Sequence, residues 1–73
     1  MTRKARAVVT GLFDAFMDDL LLMPDEHRLV AQKLEAEQGR AGRARAVADY
    51  VAGMTDRYAI VEHERIFLPA QRS

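Results

Sequence analysis

The length, composition and charge of this chain limit it to one small globular domain. It has 73 residues, 49% of them hydrophobic and 30% charged, which is typical of a folded chain rather than a disordered one. Eleven basic and eleven acidic residues cancel, whereas a general nucleic-acid-binding protein usually carries excess positive charge, so that class is disfavoured. The chain has no cysteine, which excludes disulfides and thiolate-bound metals.

The apolar segments are too short and too interrupted for a membrane protein or a secreted precursor. None approaches the roughly 18 residues that a membrane-spanning helix needs. The basic segment 2–7 is followed by apolar positions that acidic residues interrupt, which is not the pattern of a signal peptide. We therefore expect a cytoplasmic protein without a membrane anchor.

The first predicted helix covers about residues 3–23. Its apolar residues recur in pairs every four positions, which places one broad stripe along a helix. They are Val8, Val9, Leu12, Phe13, Phe16, Met17, Leu20 and Leu21. Thr2 is a suitable N-cap, and Pro24 is predicted to end the helix because it lacks an amide hydrogen and disfavours helical geometry in the preceding residue.

The second predicted helix covers about residues 25–38. Pro24 suits its first turn, and the two acidic residues that follow are favoured there by the helix dipole. Its larger apolar residues are Leu29, Val30 and Leu34. Because they are few, this helix is expected to cover the core rather than form it. Gly39 is the predicted end, and residues 39–42 are predicted to form a short loop.

The third and fourth predicted helices cover about residues 43–54 and 56–67. Thr55, between them, is the predicted N-cap of the fourth. Gly53 has two interpretations, since either a neighbouring backbone packs close to it or it loosens the end of the helix. The predicted inner positions are Val47, Tyr50, Val51 and Met54 on the third helix, and Ile60, His63, Glu64 and Phe67 on the fourth. No strand pattern is present, so the predicted fold class is all-α, a small bundle of about four helices whose last residues, 71–73, fray.

No residue pattern assembles a catalytic site. The only serine is Ser73 at the terminus, and with no cysteine the chain lacks a positioned nucleophile. The two histidines are followed by Arg28 and Glu64, so neither forms an adjacent His-Asp pair. We expect His27 to be exposed, His63 to be packed or at the surface, and neither to bind a metal.

Two basic clusters leave the nature of a charged partner open. Arg3, Lys4 and Arg6 open the first helix, where cations oppose the helix dipole. They are either a solvated or ion-paired face, or they lie near an anion such as a nucleotide triphosphate or a strand of DNA. The second cluster, Arg40, Arg43 and Arg45, lacks the spacing of a phosphate-binding loop.

The most specific motif is DYVAGMTDRYA, residues 49–59. Its residues by themselves indicate a helix, a cap and a second helix. In this interpretation Asp49, Tyr50, Gly53, Met54, Thr55 and Asp56 have structural roles. We also expect Asp49 and Arg57 to join the two helices by a charge-assisted hydrogen bond.

Together with residues 62–67, EHERIF, this motif resembles the C-terminal signature of bacterial deoxyguanosinetriphosphate triphosphohydrolases, metal-dependent enzymes of the HD superfamily. The resemblance extends to residues 6–16 and to the Leu-Leu-Met-Pro turn at 21–24, and it covers about residues 3–68. It implies that residues 1–73 are a C-terminal helical module of such an enzyme without the HD catalytic core.

The resemblance also implies a reaction that this chain cannot carry out alone. Members of the family hydrolyse a deoxynucleoside triphosphate to the nucleoside and triphosphate, with a divalent metal, magnesium or manganese, held by histidine and aspartate. Those ligands lie upstream of the region matched here, so the chain by itself is expected to contain no cofactor and to be inactive. Arg57 and Tyr58 are the candidates for contact with a substrate or effector phosphate.

The implied partners are the HD catalytic core and a second copy of the chain. Without the core, the stripe formed by Val8, Phe13, Phe16 and Leu20 is expected to be exposed, and a contiguous apolar surface favours a homo-oligomer, most simply a dimer. The alternative is a stand-alone helical protein-interaction module without catalysis. Binding to single-stranded nucleic acid is the least favoured interpretation, because the chain is neutral and has few aromatic residues.

Overall fold

The structure, a computed structural model, describes residues 6–68 and consists of four α-helices joined by short turns. Helix α1 spans Arg6–Asp18, α2 spans Asp25–Gln38, α3 spans Arg40–Ala52 and α4 spans Asp56–Phe67. A single turn of 3-10 helix, Leu20–Leu22, connects α1 to α2. No strand occurs in the described residues, and the prediction of a small all-α bundle is confirmed. The predicted cap at Thr2 and the fraying of 71–73 fall outside the described residues.

Helix α1 ends at Asp18, earlier than the predicted end near residue 23. Asp19 has an extended backbone, and its carboxylate accepts a hydrogen bond from the Leu21 amide at 3.0 Å. An aspartate that binds nearby amides in this way competes with the helix. The break therefore precedes Pro24, which serves as the N-cap residue of α2 rather than lying in its first turn.

The predicted loop at 39–42 is reduced to Gly39 alone. Its φ of 73° is the only positive φ among the described residues, and glycine adopts this conformation without steric cost. Its amide donates to the Glu35 carbonyl at 2.8 Å, and α3 begins at the next residue. Helices α2 and α3 thus form a tight helical hairpin.

Gly42, which the sequence places in that loop, is instead buried in the first turn of α3. A Cβ atom added to it would overlap the carbonyl oxygen of Leu34 and lie 2.8 Å from the carbonyl carbon. The backbones of α2 and α3 are therefore in direct contact at this point, which only glycine permits.

The core lies between α1 and the two helices that pack against it, α3 and α4, while α2 packs against α3 and the 3-10 turn. Its buried apolar residues are Leu12, Phe16, Met17, Leu20, Met23, Ala31, Ala46, Val47, Val51, Met54 and Ala59. The stripe predicted on α1 supplies the centre of this core, where Phe16 is fully buried, Leu20 is buried, and Val8 and Phe13 are partly buried. The expectation that this stripe is exposed is therefore wrong, because the other helices of the same chain cover it.

Helices α2 and α4 bury different positions from those predicted. On α2, Ala31 is fully buried, while Leu29 and Val30 are more than half exposed. On α4 the inner positions are Ala59 and Glu62, with His63 and Ile66 partly buried, whereas Ile60, Glu64 and Phe67 are exposed. The most completely buried residue on each of these helices is a small one, Ala31 on α2 and Ala59 on α4.

Arg43 is a packing residue rather than part of an open basic surface. Its guanidinium donates to the Glu35 carboxylate at 3.2 Å and to the Met17 carbonyl near the end of α1. A cation is favoured at that end of a helix by the helix dipole. Arg40 and Arg45 are exposed, so the predicted cluster is divided between two environments.

Candidate functional site

Most of the sequence motif lines one groove on the surface. The groove has a volume of about 320 Å³ and is lined by His27, Asp49, Tyr50, Gly53, Met54, Thr55 and Tyr58. All of these except His27 come from the end of α3, the turn and the start of α4. We call this the signature groove. Sequence analysis assigned His27 to no site, and only the packing of α2 against α3 brings it here.

The turn between α3 and α4 gives the groove its shape. Gly53 ends α3 with a right-handed helical conformation, and a Cβ added to it would meet no atom closer than 3.5 Å. Its role is thus to end the helix rather than to admit a neighbouring backbone. The Thr55 hydroxyl accepts a hydrogen bond from the Tyr58 amide at 3.0 Å, so its predicted role as N-cap of α4 is confirmed.

Two tyrosines, rather than the predicted Asp49–Arg57 pair, join α3 to α4. The hydroxyl oxygens of Tyr50 and Tyr58 are 3.2 Å apart, within hydrogen-bonding distance. Asp49 and Arg57 are both exposed, and within residues 6–68 neither forms an ion pair. The predicted charge-assisted bond is therefore wrong, since these side chains project to solvent on their separate helices.

Tyr50 connects the core to the groove. Its ring packs edge-on to Phe16, with 5.5 Å between ring centroids, and lies 4.4 Å from the ring of His27. Burial raises the pKa of Tyr50 well above the usual value for tyrosine, and the hydrogen bond to Tyr58 and the nearby charge of Glu62 add to this, while Arg65 opposes it. Tyr50 is consequently a neutral hydrogen-bonding wall of the groove.

This pKa shift predicts that the domain loses stability in alkaline solution. In the unfolded chain Tyr50 ionises near the usual pKa of about 10, whereas the folded chain holds the proton to higher pH. Its stabilising contribution is thus present below about pH 10 and is lost as the pH rises further. Urea unfolding followed by circular dichroism should show this decline from about pH 10 upward, and Tyr50→Phe should make it shallower. An equal decline in both proteins would contradict the assignment.

An ion pair with one buried partner lies along α4, and its arginine also joins this helix to the 3-10 turn. Glu62 is only 8% exposed, and its carboxylate accepts two hydrogen bonds from Arg65, at 3.1 and 2.6 Å. The same guanidinium donates to the Leu22 carbonyl at 3.1 Å, and the Glu62 hydrogen bond raises the pKa of Arg65. Sequence reasoning missed this pair, although its i, i+3 spacing on a helix is a signal that points to it.

Removing the Arg65 guanidinium should leave the Glu62 carboxylate buried without its partner. We expect Arg65→Ala to lower the free energy of unfolding by about 1–3 kcal/mol, less than for a fully buried pair because Arg65 itself is half exposed. Arg57→Ala is the matched control on the same helix, since Arg57 is exposed and unpaired among the described residues. Equal effects of the two variants in urea unfolding would show that the pair contributes nothing specific.

The described residues do not fit a metal ion. Within residues 6–68 no three histidine, cysteine, aspartate or glutamate side chains come together to form a binding site. The two histidines lie apart, with His27 against Tyr50 and His63 packed on Phe67 at 4.6 Å.

No helix in the described part of the chain is both long enough and apolar enough to cross a membrane.

The two residues predicted to contact phosphate are separated by the structure. Tyr58 lines the signature groove with its hydroxyl directed to Tyr50, whereas Arg57 is exposed and lies outside the groove lining. A phosphate contact by either residue stays a prediction.

Comparison with known proteins identifies the family to which these features belong. A family model described as the phosphohydrolase-associated domain matches residues 1–65. The chain is similar to proteins named deoxyguanosinetriphosphate triphosphohydrolase-like protein: it is 48% identical over 67 residues to that of Azoarcus sp. strain BH72, 49% over 67 residues to that of Bordetella pertussis, and 52% over 63 residues to that of Brucella ovis.

These matches cover nearly all of this chain but little of each relative. They include 92%, 92% and 86% of the chain, and 16%, 15% and 15% of the respective relatives. The chain thus spans about a sixth of the length of the curated relatives it matches. No solved structure matches it. The resemblance that the sequence motif indicates is confirmed.

Proposed function

Because the chain belongs to the phosphohydrolase-associated domain family, we propose that it is the non-catalytic helical module of a deoxyguanosinetriphosphate triphosphohydrolase-like enzyme. In this proposal the module binds the HD catalytic part and helps to shape its nucleotide site. The catalytic part hydrolyses dGTP to deoxyguanosine and triphosphate, and its divalent metal, magnesium or manganese, polarises the phosphate and activates water. The module supplies packing surface and no ligand to that metal.

The observation that carries the proposal is an uncovered apolar surface on α4. Ile60, Val61, Phe67 and Leu68 are each between 45% and 49% exposed, and we call them the outer α4 face. The opposite side of the same helix is buried against α1. A helix that is buried on one side and also exposes several large apolar residues on the other carries an apolar patch of the kind that marks an interaction surface.

The size of the relatives supports one candidate for the partner that covers this face. Each relative is about six times longer than the segment it shares with this chain, so most of such a protein lies outside the module. Val61 and Leu68, with Glu64 and Arg65, line a shallow depression that an apolar side chain of that larger part would fill. Docking of the catalytic part on the outer α4 face is therefore the simplest assembly.

Mixing the two parts tests this assembly. The purified chain is combined with the Azoarcus relative lacking its matching segment, and triphosphate release from dGTP is measured with magnesium or manganese. We expect activity only in the mixture, together with co-elution in size-exclusion chromatography. A chain carrying Val61→Gln and Leu68→Gln should lose most of the triphosphate release and most of the co-elution, because polar side chains on the docking face remain unpaired in the interface.

The matched control is Lys33→Gln, an exposed change on α2 that should leave both signals intact. Circular dichroism checks that each variant is folded. Equal losses for the α2 and α4 variants would contradict docking through α4.

A stand-alone interaction module is the second candidate, and the closed core favours it. Leu12, Phe16 and Val47 are fully buried by residues of this chain alone, so the bundle has a core of its own. No binding and no activity in the mixture would support this alternative.

Association with a second copy also stays a proposal, with the outer α4 face replacing the α1 stripe as its surface. In either case we place the module in the cytoplasm, in keeping with a chain without cysteine.

A further inference from the structure

The signature groove continues along the hairpin of α2 and α3. A second depression is lined by His27, Val30, Leu34, Ala46, Asp49 and Tyr50, and it shares three of these residues with the signature groove. The two depressions therefore adjoin each other at His27, Asp49 and Tyr50, and together we call them the extended groove, which has an aliphatic part and an aromatic part. None of the residues of the outer α4 face lines it.

The extended groove carries one formal charge. Among the described residues, Asp49 is the only aspartate, glutamate, lysine or arginine in its lining, and the side chain is exposed. Within residues 6–68 its carboxylate accepts no hydrogen bond and forms no ion pair, although Arg45 lies one helical turn away. An uncompensated carboxylate repels a phosphate and attracts a cation.

The walls around this carboxylate suit a planar cation. The rings of His27 and Tyr50 are stacked with a tilt of 36°, and Tyr58, which is 42% exposed, lines the same groove. A guanidinium group stacks on aromatic rings and donates two parallel hydrogen bonds to a carboxylate, which an ammonium group cannot do. At the other end Val30 is 53% exposed beside the partly buried Leu34, which suits an aliphatic side chain.

We propose that the extended groove is a docking site for an arginine-bearing segment of a protein partner. The arginine pairs with Asp49 beside the exposed aromatic rings of the groove, and a neighbouring aliphatic side chain packs on Val30 and Leu34. Charge complementarity selects this occupant over an anionic one. The inference concerns a different surface from the outer α4 face and does not depend on the proposed function.

A peptide titration tests the chemistry of the groove directly. The probe is acetyl-Ala-Leu-Ala-Arg-Ala-Ala-amide, added to the ¹⁵N-labelled chain and followed by NMR. Its control has citrulline in place of arginine, which keeps the shape and removes the charge. We expect shift changes at His27, Asp49 and Tyr50, and at least about fivefold weaker binding of the citrulline peptide.

Two variants of this chain complete the test. Asp49→Asn should reduce binding of the arginine peptide to the level of the citrulline peptide. Asp14→Asn, an exposed aspartate on α1 outside the groove, should leave the affinity unchanged. Equal binding of the two peptides, or shifts confined to the outer α4 face, would overturn the proposal. Chemical-shift changes at the groove that grow with protein concentration in the absence of peptide would also overturn the proposal. They would mean that a second copy of the chain occupies the groove.

Discussion

Gly42→Ala is expected to destabilise the domain by about 3 kcal/mol or more, although alanine is the better helix former by about 1 kcal/mol. The added methyl group would overlap the Leu34 carbonyl of α2, which is backbone and cannot move aside as a flexible side chain does. The hairpin of α2 and α3 must then open, which weakens the contact between their backbones. Urea unfolding followed by circular dichroism gives the change in free energy.

Gly53→Ala is the control for this prediction. Gly53 also lies at a helix terminus, but its φ of −80° suits any residue and an added Cβ meets nothing closer than 3.5 Å. Its effect should stay within about 1 kcal/mol. If the two variants unfold at the same urea concentration, the close backbone contact at Gly42 is absent in solution.

Phe16→Ala is the second large effect, a loss of about 3–5 kcal/mol of unfolding free energy. Phe16 is fully buried at the centre of the core, and its ring contacts Tyr50 with 5.5 Å between centroids. Deleting the ring removes apolar burial and leaves a cavity that the surrounding helices fill only in part. A domain of this size has a total stability of only about 4–11 kcal/mol, so the variant should be largely unfolded well below the melting temperature of the parent. Differential scanning calorimetry measures the shift.

Leu29→Ala is the matched control for the core variant. Leu29 is apolar and similar in size, but it is 58% exposed on α2. Its replacement should change the free energy of unfolding by no more than about 0.5 kcal/mol. A loss comparable to that of Phe16→Ala would show that another molecule covers this face of α2 in solution.

The two proposed binding surfaces depend on different contacts, which makes them separable by experiment. The signature groove is shaped by the tyrosine pair at the α3–α4 turn, whereas α4 is fastened to the 3-10 turn by Arg65. Tyr50→Phe should therefore act mainly on the groove, and Arg65→Ala mainly on the position of the outer α4 face.

The bounds of α2 and α4 follow from signals within a few residues of each terminus. Pro24 and Gly39 delimit α2, and Thr55 caps α4, as the sequence predicts. These signals act locally, through a missing amide hydrogen, a permitted positive φ or a single hydrogen bond to a nearby amide, so they work in any surroundings. The all-α class and the family motif can be recognised in the sequence for the same reason, because both depend on patterns of residues that are close together in the chain.

The sequence predicts only some of the residues that line the site. It singles out the turn residues of the motif, but His27 comes from another helix, and the hydroxyl of Tyr58 lies within hydrogen-bonding distance of that of Tyr50. These relations depend on how α2, α3 and α4 are packed, and residue spacing does not encode that packing.

Other features were decided by tertiary structure alone. Gly42 has the local character of a loop residue, and Glu62 that of a solvated one, yet both are buried. The sequence predicts that α1 carries an apolar stripe. It does not predict whether this stripe is covered by another protein or by the same chain. Capping and periodicity act through neighbours in sequence, whereas burial and the choice of hydrogen-bonding partner depend on which helix lies opposite, and that is settled only when the helices pack together.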